Sequence, residues 1–415
     1  MIALIDCNNF YCSCEKVLRP DLRDKPIVVL SNNDGCIISR SPEAKALDVD
    51  MGSPYFMVKD ELKKLNVSVF SSNYTLYGDM SARVVECIDQ FSDEVEVYSV
   101  DEAFATFRFT DNELERRGRD MRNQILQWVG IPVKIGIAPS KTLSKLAAKR
   151  AKQQPSGVFT IATEAERIEM VRATPLHKVW GVGHGYFKFL KNYGVETAHD
   201  FSLLPNNFIR AHMGVVGLRM AYELRGLACI PIQTQTKAKQ MILTSRSFSH
   251  AVIDFEEMKQ AVATYVHECS AKLRNENLVA REICVSIETF RHRTEEPQNN
   301  QKASYVLSTP TDSMIELNQM AQKLLAAIYK DGYKYKKAGI LLLQLAPKQH
   351  AQTNLFQEVR SPENYKLMQT VDSLNVKHGN NTVKLVSEGL TQDWKMNSQY
   401  RSRRATTRWN ELVEL

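Results

Sequence analysis

The sequence predicts an α+β protein with several domains. Its 415 residues exceed one ordinary domain and suggest about three. Strand and helix patterns mix over residues 1–165, a mostly helical, glycine-interrupted stretch covers residues 164–226, and a βαββαβ order follows in residues 240–347. The composition, 43% hydrophobic and 24% charged, is typical of a globular protein that can bury sizeable cores.

Charge and apolar segments limit the classes of partner. The formal net charge of +7 suits an anionic partner such as nucleic acid, although a weak basic bias is common. The longest strongly apolar segment, residues 338–346, is far shorter than the ~20 residues that cross a bilayer, and no signal peptide precedes Asp6. The eight cysteines form no CxxC pair, which favours reduced thiols. We therefore expect a cytoplasmic protein without a membrane partner.

The elements of the first α+β region follow from local patterns. Apolar runs predict buried strands at residues 1–6 and 27–30, and helical periodicity covers residues 77–91. Alternating segments on both sides of Asp101-Glu102 predict two adjacent strands. Ser140 can cap a helix that runs to about Gln153. A helix of one or two turns at residues 42–47, a helix at 114–129 and a strand at 133–137 complete this region.

The second half of the chain has its own periodicities. The predicted elements of the βαββαβ unit are strands at 240–248, 281–290, 304–307 and 337–345 and helices at 255–274 and 313–330. After Pro347 no long apolar period remains. Residues 348–415 are therefore predicted to be a tail with short recognition segments.

Three acids stand out by their positions. Asp6 ends a predicted strand, and Asp101 and Glu102 lie between two others. If these strands are neighbours, the three carboxylates repel one another unless a cation is bound, and carboxylates with substrate phosphates are the usual ligands of Mg²⁺. The spacing alone leaves a second interpretation open, in which Asp-Glu is a polar turn and Asp6 ends a strand.

Two motifs resemble those of the Y-family translesion DNA polymerases. Residues 5–11, Ile-Asp-Cys-Asn-Asn-Phe-Tyr, resemble the opening motif, and residues 98–104, Tyr-Ser-Val-Asp-Glu-Ala-Phe, resemble the second catalytic motif. Residues 29–40 and 69–80 are similar to the SOS polymerase V branch of this family. The resemblance implies a right-hand polymerase: palm at 1–18 and 76–165, small fingers at 19–75, helical thumb at 166–232, little finger at 240–347 and tail at 348–415.

The resemblance implies template-directed, error-prone DNA synthesis past lesions in the SOS response, without proofreading. Two Mg²⁺ ions would be the cofactors. Asp6 and Asp101 would bridge both ions, Glu102 would serve the ion on the primer side, and the Cys7 main-chain carbonyl would help the ion on the nucleotide side.

The same resemblance assigns nucleotide contacts to four residues: Phe10, Tyr11, Lys45 and Lys152. Tyr11 matches the position whose ring would exclude a 2′ hydroxyl and so select dNTPs; without the motif, a core aromatic is the simpler interpretation. Pro42 stands where relatives often have an aromatic residue, so the phosphate contacts near Lys45 can differ.

A helical stripe of lysines is also predicted to meet phosphates. Lys141, Lys145, Lys149 and Lys152 fall within about an 80° arc of one helix. A solvated charged face is the alternative explanation.

Primer-template DNA is the implied partner of two further regions. Gly181 and Gly183 lie in a segment that resembles a helix-hairpin-helix, whose backbone can contact phosphates, although packing glycines are the alternative. Arg246 and Lys336 lie on proposed strands of the little finger.

Protein partners are implied by the tail. Gln352, Leu355 and Phe356 match the pentapeptide with which bacterial proteins bind the sliding clamp. The basic end beyond Trp394 is expected to bind the processed accessory subunit or the recombinase filament, or else to be a disordered basic tail.

Two other functions remain open from the sequence. A nucleotidyl cyclase with a similar palm would also use two metals, but it would not need regions that bind a DNA duplex. A non-catalytic DNA- or clamp-binding protein would keep the shape but not require the three acids.

Overall fold

The computed structural model describes residues 1–109, 111–235, 238–350, 362–379 and 381–412. The chain forms two compact units. Unit 1 comprises Met1–Thr236 with Gln399–Leu415, and unit 2 comprises Lys237–Ser398. In the segments that the structure describes, no helix is long and apolar enough to cross a membrane.

Unit 1 contains two sheets and a helical segment. Its elements in chain order are β1 (Ile2–Cys7), α1 (Phe10–Leu18), β2 (Ile27–Leu30), β3 (Ile37–Arg40), α2 (Pro42–Ala46), α3 (Tyr55–Lys64), β4 (Ser68–Ser71), α4 (Tyr74–Asp89), β5 (Val95–Val97), β6 (Glu102–Thr106), α5 (Asp111–Val129), β7 (Val133–Ala138), α6 (Lys141–Ala151), β8 (Val158–Thr160), α7 (Glu164–Ala173), α8 (His184–Lys191), α9 (Ala198–Leu203) and α10 (Asn206–Leu224).

The larger sheet has the strand order β5-β6-β1-β7-β8. β1 is central because its apolar residues are buried on both faces, and it runs antiparallel to β6 and β7. Helix α6 packs on this sheet at Gly136, where an added Cβ would lie 2.0 Å from the Ala148 nitrogen and 2.4 Å from the Ser144 carbonyl oxygen. As predicted, Ser140 caps α6 by accepting a hydrogen bond from the Leu143 N–H.

The smaller sheet has the order β3-β2-β4, with β2 and β4 parallel. The sequence predicted β2 and α2, but not β3, β4 or α3. The strands β3 and β4 are only four residues long. On α3, Tyr55, Val58 and Leu62 face the core at helical spacing, but the exposed Phe56 and Met57 between them obscure that period in the sequence.

Unit 2 has the predicted βαββαβ order. Its elements are β9 (Ile242–Val252), α11 (Phe255–Asn275), β10 (Leu278–Thr289), β11 (Asn300–Thr311), α12 (Met314–Ile328) and β12 (Tyr335–Pro347). The strands form one antiparallel sheet in the order β11-β10-β12-β9, and α11 and α12 contribute to its buried core.

The prediction that residues 348–415 form a tail of short segments is wrong for much of this region. Helix α13 spans Pro362–His378 and buries Met368 and Val371. Trp394 is 3% exposed and packs at the core of unit 2 against Phe248 and Tyr265. The sequence shows no long apolar period here because a few separated side chains provide the burial.

Candidate active site at the edge of the five-stranded sheet

The register of the larger sheet brings the three acids together. Asp6, near the end of β1, is the direct cross-strand partner of Glu102 at the start of β6. The Cys7 N–H donates to the Asp101 carbonyl oxygen over 2.8 Å, which fixes the β5–β6 hairpin against β1. The convergence expected from the sequence is therefore present.

Each carboxylate has a local partner. Lys152 places its Nζ 3.0 Å from Asp6 Oδ1, and Lys145 places its Nζ 2.9 Å from Glu102 Oε2. The Ser99 hydroxyl donates to Asp101 Oδ1 over 2.6 Å. The lysine ammonium groups thus supply positive charge beside two of the three acids.

The surroundings of Asp6 disfavour its ionised form. Burial raises the pKa of Asp6 above its usual value, and the neighbouring charges of Glu102 and Asp101 raise it further. Lys152 opposes these effects by its charge and by its hydrogen bond. A cation beside the carboxylates would lower the pKa in the same way.

The donor set fits a hard cation. Three carboxylates and a nearby main-chain carbonyl at Cys7 are all oxygen ligands, which Mg²⁺ prefers. Within the described segments, no three His, Cys, Asp or Glu side chains are already arranged around one cation position. Asp6 and Glu102 would have to exchange their lysine partners for metal ions.

Lys145, which the sequence placed in the lysine stripe, has contacts that the sequence did not predict. Besides Glu102, its Nζ lies 4.4 Å from the centre of the Tyr98 ring and 5.4 Å from that of Trp180. The Trp180 Nε1–H donates to the Tyr98 hydroxyl over 3.1 Å. The seven-residue spacing between Lys145 and Lys152, two helical turns, is the signal that places both on one face toward the acids.

The prediction that Lys141 joins the phosphate stripe is wrong. Its side chain is 1% exposed and forms an ion pair with Glu96. Its ammonium also donates to the Pro231 carbonyl oxygen over 2.7 Å. Other parts of unit 1 cover the start of α6. A position on the same helical face as the other lysines therefore did not predict that the Lys141 side chain is exposed.

Tyr11 lies in a cluster of aromatic side chains. Its ring stacks on that of Tyr77 with centroids 4.6 Å apart and 21° between planes, and it meets Tyr74 edge-on at 5.9 Å. Phe10 is 4% exposed, so its ring belongs to the core. A nucleotide contact from Phe10 would have to come from its main chain in the first turn of α1.

The other predicted nucleotide and hairpin residues lie elsewhere in unit 1. Lys45 lies on α2 beside the smaller sheet, with an exposed side chain. Gly181 has φ = 89°, and an added Cβ would lie 2.2 Å from the sulfur of Met220. Gly183 precedes α8, and a Cβ there would meet nothing within 4 Å. The tight turn therefore requires glycine at 181 rather than at 183.

The predicted DNA contacts of unit 2 are engaged within that unit. Arg246 donates to the Ser245 carbonyl oxygen and lies 3.8 Å from a carboxylate oxygen of Glu268. Lys336 donates to the carbonyl oxygens of Phe248 and Ser249 over 2.5 and 3.2 Å. Contact of either residue with DNA stays a prediction.

The predicted clamp-binding residues Gln352, Leu355 and Phe356 lie outside the described residues.

Sequence comparisons match three segments of the chain. Residues 5–149 match the impB/mucB/samB family, residues 239–355 match the C-terminal domain of the same family, and residues 365–415 match a domain of unknown function (DUF4113). Protein UmuC of Salmonella typhimurium is 40% identical over 422 residues, which cover 100% of both chains. Protein ImpB of the same organism is 39% identical over 419 residues, 99% of each chain. DNA polymerase IV 2 of Bacillus subtilis is 24% identical over 373 residues, 86% of this chain and 87% of that one.

Solved structures share the fold. A Y-family DNA polymerase chimera of Dbh and Dpo4 has a TM-score of 0.67 at 19% identity, covering 83% of this chain and 99% of that one. The insertion ternary complex of Dbh DNA polymerase has a TM-score of 0.56 at 19% identity, covering 83% and 98%.

Proposed function

Because the chain belongs to the impB/mucB/samB family, we propose that its carboxylate cluster catalyses transfer of deoxynucleotides to a primer end. The chain is a DNA-directed DNA polymerase that carries out error-prone translesion synthesis in the SOS response. Its fold confirms the predicted right-hand polymerase, and family membership argues against the cyclase and non-catalytic alternatives.

The single observation that carries the proposed chemistry is the convergence of Asp6, Asp101 and Glu102 at one sheet edge. Two bound Mg²⁺ ions would activate the primer 3′ hydroxyl and stabilise the leaving pyrophosphate. Asp6 and Asp101 would hold both ions, Glu102 the one near the primer, and the Cys7 carbonyl the one near the nucleotide. The hydroxyl would lose its proton to solvent, and its oxygen would form the new bond to the α-phosphorus as the bond to the leaving pyrophosphate breaks.

Lys152 and Tyr11 are proposed to handle the nucleotide. The Lys152 side chain is half exposed, so its ammonium can leave Asp6 and meet a triphosphate oxygen as metal neutralises the carboxylate. The Tyr11 ring, held in its stack, would lie under the sugar and exclude a 2′ hydroxyl. Lys45 and the main chain at Phe10 would contribute further phosphate contacts.

DNA is held by two further regions in this proposal. The turn at Gly181 and Gly183 would meet backbone phosphates, because a glycine turn lets main-chain N–H groups approach closely. Arg246 and Lys336 would contact the duplex only if they release their present partners.

Protein partners are proposed for the C-terminal region. Gln352, Leu355 and Phe356 would bind the sliding clamp, with the two apolar side chains filling a pocket. The basic residues near the end would meet the processed accessory subunit or the recombinase filament. A chromosomal substrate would place the protein in the cytoplasm with the nucleoid.

A metal-dependent primer-extension assay tests the proposal. With dNTPs, Mg²⁺, clamp and accessory subunit, the wild type should extend a labelled primer on an undamaged template. EDTA should stop extension, and excess Mg²⁺ should restore it. Asp101→Asn with Glu102→Gln should abolish extension, whereas Asp93→Asn, an exposed acid before β5, should not. Extension that persists in EDTA, or in the double variant, would contradict the two-metal assignment.

A further inference from the structure

The last residues of unit 1 pair with the edge of the smaller sheet. We call residues 399–404 the C-terminal strap. The Ser71 N–H donates to the Tyr400 carbonyl oxygen over 3.0 Å, and the Tyr400 N–H donates back to the Ser71 hydroxyl oxygen over 2.9 Å. Arg401 forms a parallel bridge with Ser71. The strap therefore occupies hydrogen-bonding positions that the edge strand β4 would otherwise leave open.

Side chains anchor the start of the strap. The Gln399 N–H donates to Asp34 Oδ2 over 2.9 Å, and the Ser71 hydroxyl donates to Asp34 Oδ1 over 2.6 Å. The Tyr400 ring packs edge-on against Tyr55 with centroids 5.7 Å apart and joins the core of the smaller sheet.

The strap then reaches the first turn of α4 through Asn73. This residue is fully buried, and its Oδ1 accepts the Leu76 N–H as the cap of α4. Its Nδ2 donates to Ser402 at both the carbonyl oxygen, 3.2 Å, and the hydroxyl oxygen, 3.0 Å.

Ser402 continues the network to a buried acid. Its hydroxyl donates to Glu15 Oε1 over 3.1 Å, and the Tyr77 hydroxyl donates to the same oxygen over 2.7 Å. Glu15 is fully buried on α1, one turn after Tyr11. A buried carboxylate oxygen that loses one of two donors is costly, so Ser402 is an integral part of this network.

The network lies directly behind the proposed sugar-selecting ring. The Tyr77 hydroxyl donates a hydrogen bond to Glu15, and the Tyr77 ring stacks on the Tyr11 ring with centroids 4.6 Å apart. The orientation of Tyr77, and so the surface on which Tyr11 rests, depends on a carboxylate that Ser402 helps to fix.

We infer that the C-terminal strap positions the nucleotide site: Ser402, through Glu15 and Tyr77, holds the Tyr11 ring where it discriminates between deoxyribose and ribose. This inference rests on the proposed function of Tyr11. It gives a role to residues within the C-terminal segment that matches a domain of unknown function. Ser402 is a positioning residue, because it would act on the sugar only through Glu15, Tyr77 and Tyr11.

Single-nucleotide insertion by the full chain tests the inference. The wild type, Ser402→Ala and Ser402→Thr would each insert dCTP or CTP opposite template dG, with Mg²⁺, clamp and accessory subunit. Ser402→Ala should lower the ratio of kcat/KM for dCTP to that for CTP roughly fivefold, the factor expected for one net buried hydrogen bond. Ser402→Thr keeps the hydroxyl and should restore the ratio. Ser398→Ala, an exposed serine just before the strap, should leave it unchanged.

The outcomes separate the inference from the proposed function. Equal loss of kcat/KM for both nucleotides, or an unchanged ratio in an active Ser402→Ala enzyme, would overturn the positioning role while leaving the polymerase intact. A wild type that inserts neither nucleotide would overturn the proposed function and the inference with it. If Ser402→Ala does not fold by circular dichroism, Tyr77→Phe removes the other donor to Glu15 and keeps the ring stack. An unchanged ratio in Tyr77→Phe would overturn the inference equally.

Discussion

Replacement of Glu15 by glutamine should change how stability depends on pH. Burial raises the pKa of Glu15 to about 7 from an ordinary 4.5, although the hydrogen bonds from Tyr77 and Ser402 and the charge of Arg19 act to lower it. At pH values between these two pKa values, the folded chain thus keeps a proton on Glu15 that the unfolded chain has released. Stability from this group is complete below pH 4.5 and is lost as pH rises toward and through 7.

The size of the effect follows from the difference in proton affinity. At about 1.4 kcal/mol for each tenfold change, ionised Glu15 costs the folded protein roughly 3 kcal/mol above pH 7. Glu15→Gln cannot ionise. Its free energy of unfolding relative to wild type should therefore rise by about 2 to 3 kcal/mol between pH 5 and pH 8.

Urea unfolding, followed by tryptophan fluorescence at pH 5, 6, 7 and 8, measures this difference. Glu43→Gln is the matched control, because Lys16 lies 2.7 Å from Glu43 and the pKa of that carboxyl is lowered. A carboxyl whose pKa is lowered by folding changes its protonation only below the ordinary pKa. The change that Glu43→Gln makes in the free energy of unfolding should therefore be constant from pH 5 to 8. A constant difference for Glu15→Gln as well would refute the assignment of a buried, proton-binding Glu15.

Two pairs of substitutions test the packing of α6 and the nucleotide site. Gly136→Ala should destabilise unit 1 by about 3 kcal/mol in urea unfolding, because the new Cβ meets the backbone of α6. Gly78→Ala, where a Cβ meets nothing within 4 Å on helix α4, should instead stabilise it by about 0.5–1 kcal/mol, and equal effects would contradict the packing argument. Lys152→Gln should raise the KM for dNTPs about tenfold, as expected for one charge-assisted hydrogen bond, whereas Lys152→Arg should recover most of it. An unchanged KM in Lys152→Gln would remove Lys152 from the phosphate contacts.

The central part of the larger sheet was predictable because local signals agree there. The apolar run before Asp6 marks a strand buried on both faces, and the alternation around Asp101 marks the hairpin. Antiparallel pairing of β1 with β6 then brings the acids together. The Ser140 cap could be predicted equally well, since it joins residues that are three positions apart in the sequence.

What escaped prediction depends on contacts between distant residues. The hydrogen bond from Ser402 to Glu15 joins positions 387 residues apart, and no local pattern reports such a pairing. Lys141 shares a helical face with Lys145 and Lys152, yet it is buried because Glu96 and Pro231 cover that end of α6. Helical periodicity describes a single helix and does not reveal what packs on it.

The most direct test of the account is bypass of an abasic site. The wild type, with Mg²⁺, dNTPs, clamp and accessory subunit, should extend a primer past the lesion, and the Asp101→Asn, Glu102→Gln double variant should stop before it. Such a result would establish both lesion-tolerant synthesis and the carboxylate site that supports it. Equal extension by both proteins, or extension by neither, would contradict the account.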